Sequence, residues 1–202
     1  MVDDDVRYPV IVDTDALIAV ANTSLWPRIV ETMQLTTTNV CCHELTRHKR
    51  ETSEYAPDGT REKWLHDGAT TALDAFDDEM DSFTVVSCVP RPHGEDAGEQ
   101  SIQTEIEQHL EVYRFAILMD KHGRQSINRV FDQADETDGK AVAPTFLLYL
   151  LLDSRACTVE EFCHACGEML RGEGWVGYQA IQAAWEAIPV DCAQYLSDDL
   201  LR

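Results

Sequence analysis

Asp13, Glu44, Glu99 and Asp120 are acids scattered along the chain, and at least three of them sit where a short apolar run gives way to polar sequence. The run Val10-Ile11-Val12 ends on Asp13, the β-prone stretch from Thr37 ends just before Glu44, and the run Ala116 to Met119 ends on Asp120. Anionic side chains cannot share a small site without a strong penalty unless positive charge stands between them. Mg²⁺ or Mn²⁺, hard ions that take oxygen ligands, meet that need, and such ions serve phosphodiester chemistry by activating water. The first expectation is therefore a divalent-metal site.

The acids can converge only if the elements that carry them do. Short apolar runs alternating with helical patterns read as parallel strands of an α/β domain, whose ligands gather outside the carboxyl ends of the strands. After the first strand, Leu25, Trp26, Ile29, Val30 and Met33 mark an amphipathic helix, followed by a strand near Thr38 to Cys42 and a helix starting around Glu44. Thr52 to Gly59 reads as a polar loop. Leu65, Ala69, Ala72, Leu73, Phe76 and Met80 define the next helix, and Phe83 to Val89, rich in β-branched residues, a third strand. Pro90 to Gly98 reads as a loop, Ile102, Ile106, Leu110 and Tyr113 as the buried stripe of a helix, and the fourth strand ends at Asp120.

Beyond it, Asp132 to Lys140 has no apolar anchor and reads as a solvated loop. Pro144 opens a buried helix carrying Phe146, Leu147, Leu148, Leu150 and Leu151. Thr158 and Glu161 form a capping-box pattern for a helix that stops at the glycines up to Gly174, and a last helix through Tyr178, Ile181, Trp185 and Ile188 ends at Pro189. The domain organisation expected is an α/β domain over 1–153 with a helical extension, 154–202, packed on it.

A chain of 202 residues with 44% hydrophobic content can bury a proper core. Its longest apolar run, Phe146 to Leu152, is far too short to span a bilayer, and MVDDDVRYP lacks the features of a signal peptide. No membrane association and a cytoplasmic location are expected. The net charge of -21 comes from 37 acids against 16 basic residues, of which only Lys49, Lys63, Lys121 and Lys140 are lysines. Such a lysine-poor acidic surface suggests a salty cytoplasm, where charge is screened over ~3 Å at molar salt. It excludes a broad cationic footprint, so any nucleic-acid contact must be local.

The seven cysteines do not suggest a disulfide scaffold. Cys163 and Cys166 have metal-like spacing, but Val159, Phe162, Cys163, Cys166, Met169 and Leu170 repeat with helical period, so both sulfurs are expected in the core, reduced and free of metal. No GxxxxGK phosphate loop and no GxSxG elbow occurs, which leaves the usual nucleotide-binding and esterase readings without support. His43, beside Glu44, reads as a surface or packing histidine.

Val12-Asp13-Thr14-Asp15-Ala16-Leu17-Ile18 resembles the opening of a PIN domain. Gly98-Glu99-Gln100-Ser101-Ile102 resembles the Gly-Glu segment of one PIN subgroup, Met119-Asp120-Lys121-His122-Gly123-Arg124 its Asp-x-x-x-Arg segment, and the helices from Ala143 onward its helical end. With the charge balance, the resemblance points to a halophilic archaeon. It implies a three-layer α/β/α sandwich with a central, mostly parallel sheet, and metal-dependent cleavage of RNA.

Carried over by position, the resemblance makes Asp13, Glu44, Glu99 and Asp120 the acidic quartet. Asp13 and Asp120 would bind Mg²⁺ or Mn²⁺ most directly, Glu44 and Glu99 would hold metal or its waters, and Thr14 or Asp15 would orient Asp13. Asp96 or Glu95 could replace Glu99 as the third acid. Thr14, Lys121 and Arg124 are candidate phosphate contacts. The activity expected is that of a ribonuclease, either the toxin of a toxin-antitoxin pair or an RNA-processing enzyme, with RNA, an antitoxin or other protein, and a second copy of the chain as candidate partners. The alternative is a PIN-like scaffold that binds protein or RNA without catalysis.

Overall fold

The computed structural model describes residues 9–77, 83–89, 91–92, 94, 96–134 and 139–173. Its centre is a five-stranded sheet of β1 (Pro9–Val12), β2 (Gln34–Thr38), β3 (Phe83–Val86), β4 (Phe115–Ile117) and β5 (Lys140–Val142), in the order β3-β2-β1-β4-β5 with every neighbouring pair parallel. A parallel sheet buried on both faces needs apolar residues pointing both ways. β1 supplies them: Val10 and Val12 enter the core on one face, Ile11 the core on the other. In β4, Ile117 joins the first core and Ala116 the second, which also takes Leu118 just beyond the strand.

The first face is covered by α1 (Thr14–Ala21), α2 (Trp26–Thr32), α4 (Arg61–Asp77), α7 (Thr145–Asp153) and α8 (Val159–Glu173), whose Leu17, Ile29, Ala69, Leu148 and Phe162 share one core. The second is covered by α5 (Ala97–Gln108) and α6 (Lys121–Gln133) through Ile102, Ile106, Ile127 and Phe131. The result is a three-layer α/β/α sandwich. α3 (Asn39–Glu51) leaves the end of β2 and contributes to both faces, Leu45 to the first and Cys41 to the second. α8 is joined to the first core by Cys163, Cys166 and Met169 and is held at its rim by Arg28 Nη2, 2.7 Å from Glu161 Oε1. Among the described residues no helix is long and apolar enough to cross a membrane.

Several expectations shift at this level. The second strand ends at Thr38, and Cys41 and Cys42 are already helical, because the Thr38 side chain caps α3 by accepting from Cys41 N at 3.2 Å. The third strand stops at Val86 rather than Val89. α5 ends at Gln108, although Tyr113 beyond it is still buried. Asp132 and Gln133, expected in a loop, close α6, and Lys140 opens a strand the sequence reading did not contain. β5 is only three residues long, but the Asn128 amide completes its free edge: it donates to Ala141 O at 3.1 Å and accepts from Ala141 N at 2.7 Å. An edge strand this short gives little sequence signal.

The capping box at the start of α8 is present, with Thr158 N donating to Glu161 Oε2 at 2.8 Å and Glu161 N donating to Thr158 Oγ1 at 3.2 Å. Cys163 and Cys166 are both fully buried, and Cys166 is a free thiol. Cys163, expected reduced, is instead disulfide-bonded. Met80, Glu95 and the last helix expected through Tyr178 to Ile188 lie outside the described residues.

Candidate active site

Three helices start around the carboxyl edge of the three central strands. Asp13 follows β1 and caps α1, with Oδ1 accepting from Ala16 N at 2.6 Å; its other oxygen, Oδ2, accepts from Met119 N at 3.1 Å. Asp120 follows β4 and caps α6, with Oδ2 accepting from Gly123 N at 2.9 Å. Glu44 comes from the second turn of α3, and Glu99 from the first turn of α5. Together with Asp96, which stands at the start of α5, they line one cleft of about 590 Å³. The sheet order brings Asp13, Glu44 and Asp120 to one edge, since β2, β1 and β4 are adjacent and parallel, and α5, which follows β3, adds Glu99.

Buried hydroxyls fix the relative placement of α3 and α5. Cys41 N donates to Thr38 Oγ1, and Ser101 Oγ donates to Gly98 O at 2.6 Å, so the 2.7 Å contact between the two hydroxyls has Thr38 as donor. This chain joins the start of α3 to the first turn of α5. A β-carbon on Gly98 would stand 2.7 Å from Glu44 Oε2, so a larger residue there would turn the glutamate aside. Thr14 Oγ1 donates to Glu44 Oε2 at 2.5 Å. Thr14 therefore orients Glu44 rather than Asp13, whose two oxygens are held by backbone N–H groups.

The family model described as Halobacterial PIN domain matches residues 1–202. The chain belongs to this family. PIN domains are generally nucleases, and the halobacterial origin accounts for the acidic, lysine-poor composition. No curated protein and no solved structure matches the chain.

The electrostatics of this PIN domain set Asp13 and Glu99 apart from surface carboxylates. Burial raises the pKa of Asp13 well above the ordinary value and Asp15 and Glu99 raise it further, against the lowering effect of the Ala16 and Met119 N–H groups. Desolvation wins. Glu99 is raised by its burial, then by Asp120 and Asp96, with His122 opposing. Glu99 Oε1 is buried with no hydrogen-bond partner, an orphaned acceptor in a wall of acids.

An all-oxygen donor set with one buried, unpartnered carboxylate oxygen fits a hard divalent cation. Among the described residues, however, no three histidine, cysteine, aspartate or glutamate side chains stand together closely enough to hold an ion. The acids share a cleft without forming a closed cage.

Two candidate phosphate contacts are not brought into this cleft. Lys121 is exposed and does not line it. Arg124 turns inward: Nη1 donates to Leu118 O at 2.8 Å and to Met119 O at 2.5 Å. Burial lowers its pKa, against the pull of Asp120 and Asp13. It clamps the peptide segment whose Met119 N–H holds Asp13. His43 is exposed, as expected of a surface histidine. Arg47, His48, Arg61, Leu65 and His122 also line the cleft and were not singled out from sequence. Arg47 and His48 lie three and four positions beyond Glu44, the spacing that puts side chains on one helix face, a signal already contained in a helix starting around Glu44. Nothing in the sequence ties Arg61 to the acids.

Proposed function

We propose that this PIN domain is a divalent-metal-dependent endoribonuclease that hydrolyses RNA phosphodiester bonds with an activated water, acting in the cytoplasm as an RNA-processing enzyme or as the toxin of a toxin-antitoxin pair. The observation that carries the reading is the meeting of Asp13, Glu44, Glu99 and Asp120 in one cleft, with Glu99 Oε1 buried and unpartnered. Asp13, Asp120, Glu99 and Asp96 are the residues that would hold Mg²⁺ or Mn²⁺, which when bound supplies a more acidic water and neutralises charge on the attacked phosphate.

The chain's own contribution is placement. Backbone N–H groups fix the Asp13 carboxylate, the Thr14 hydroxyl fixes Glu44, and the caps at Asp13 and Asp120 tie both acids to rigid strand ends. Preorganised charge of this kind acts without reorganisation during the reaction. A protein nucleophile is not needed.

A second reading, a scaffold that binds a protein partner or RNA without catalysis, is favoured by one observation: no three candidate ligands stand within reach of one ion among the described residues. The two readings separate in a cleavage assay on a broad panel of structured and single-stranded RNAs, with Mg²⁺ or Mn²⁺, at low and molar salt. Cleavage abolished by EDTA and by Asp13→Asn supports the nuclease. Persistent cleavage in either case points to a contaminant, and absence of cleavage by the wild type throughout leaves the scaffold.

A further inference from the structure

The acid-lined cleft also has basic residues in its lining. Arg47 and His48 stand on the face of α3 that carries Glu44, Arg61 is the first residue of α4, and all three line the same cleft as the acids. Among the described residues six acids line the cleft, Asp13, Asp15, Glu44, Asp96, Glu99 and Asp120, and Arg47 and Arg61 are the lysines or arginines in its lining, so any direct contact of a lining guanidinium with an anionic substrate falls to these two. Arg47 is only loosely engaged, its Nε 3.9 Å from Glu51 Oε2 with both side chains about half exposed. Arg61 is exposed. Neither is held by close contacts as Arg124 is by two carbonyls.

A cluster of carboxylates repels the polyanion it is proposed to cut, and the rest of the acidic surface adds to the repulsion. At molar salt charge acts over only ~3 Å, so long-range steering is absent and cations serve only by direct contact. Guanidinium groups match phosphate oxygens as a planar fork, which suits them to that contact.

Resting on the nuclease reading, we infer that Arg47, His48 and Arg61 form the seat for an RNA phosphate flanking the attacked one. Arg47 and Arg61 supply charge and His48 a hydrogen bond. The seat explains how an acidic chain holds RNA with neither Lys121 nor Arg124 in the cleft.

The test is fluorescence anisotropy with a labelled oligouridylate of roughly 12 nucleotides, a length that covers one single-strand site. Asp13→Asn serves as the uncleaving background, over a range of KCl in which every variant keeps the wild-type circular dichroism. Adding Arg47→Gln or Arg61→Gln is expected to weaken binding about fivefold and to flatten the log-log salt dependence by ~0.7 per arginine, the value for one phosphate contact on a single strand. Arg47→Lys keeps the slope. Arg50→Gln, on the same helix but outside the cleft lining, changes neither. In the active chain the Arg47 and Arg61 variants raise KM and leave kcat within about twofold, the pattern of lost ground-state binding.

Unchanged affinity and slope in both variants overturns the seat, as does an equal loss in Arg50→Gln or an oligouridylate that does not bind the background protein. The nuclease reading fails separately. If the wild type cleaves nothing while the arginine slopes fall as stated, the seat stands and serves binding alone.

Discussion

Glu99 Oε1 occupies the space where a β-carbon on residue 123 would stand, so the carboxylate reaches its position only because residue 123 is glycine. The same Gly123 donates its N–H to Asp120 Oδ2. One residue thus sets the relation between two acids of the site that come from different helices.

Gly123→Ala is therefore expected to push Glu99 out of place and to lower Mn²⁺ affinity and cleavage rate at least tenfold, each tenfold being ~1.4 kcal/mol. Helix propensity works the other way, since alanine is favoured over glycine within a helix by roughly 0.5–1 kcal/mol. The informative outcome is a site defect in a chain that still folds, read by calorimetric Mn²⁺ titration beside thermal melting. Full Mn²⁺ affinity in the alanine variant would remove Gly123 from the site.

The raised pKa of Glu99 has a definite sign in stability. A carboxyl that binds its proton more tightly in the folded state weakens folding as pH rises from the ordinary value, ~4.3, through the raised one. Below that window the penalty is absent. Glu99→Gln removes the charge without removing a hydrogen bond from Oε1, which has none. In EDTA and molar KCl it should melt above the wild type at neutral pH, with the difference closing as the solution is acidified. A lower melting temperature at neutral pH contradicts the assignment.

Asp13→Asn and Asp120→Asn should each reduce cleavage at least a hundredfold, but their effects on folding should differ. Asparagine caps a helix about as well as aspartate, so the cap at position 120 survives. At position 13 both oxygens accept backbone N–H groups, and an amide can serve only one of them, leaving the other donor buried at a cost of ~1–3 kcal/mol. Relief of the buried charge opposes this loss. Denaturant titrations of the two variants, paired with rates on one RNA, give the comparison, and equal stability gains in both would refute the hydrogen-bond account of Asp13.

Arg124→Gln should lower kcat about tenfold or more and leave KM close to the wild-type value, because Arg124 positions the segment that holds Asp13 and does not line the cleft. Steady-state kinetics on a single defined RNA decide it. A rise in KM alone would return Arg124 to the role of a phosphate contact.

Much of the layer structure was legible in the chain. The apolar runs ending on Asp13 and Asp120 are strands or their direct continuations, and the Thr158 capping box appears as read. Misplacement concentrated where local chemistry is two-sided. Thr37 to Cys42 is β-prone apart from Asn39, yet Thr38 ends the strand by capping a helix, a choice made by a hydrogen bond from Cys41 N and a buried contact with Ser101. β5 was invisible because its edge is completed by Asn128 from another element. The disulfide at Cys163 carries no signal in the helical stripe that contains it.

The sequence by itself determined the alternation of strand and helix and the acidic surface, because these follow from local periodicity and composition, whereas the four acids were singled out by resemblance to the PIN domain. Tertiary structure decided what each group does within the cleft. Whether Thr14 serves Asp13 or Glu44, whether Arg124 faces phosphate or a carbonyl, and whether Arg47 and Arg61 join the acids depend on strand order and helix approach. Those are long-range relations: parallel pairing of Val12 with Ile117 brings Asp13 and Asp120 to one edge of the sheet across more than a hundred residues of chain, and no local pattern records which side chains then meet.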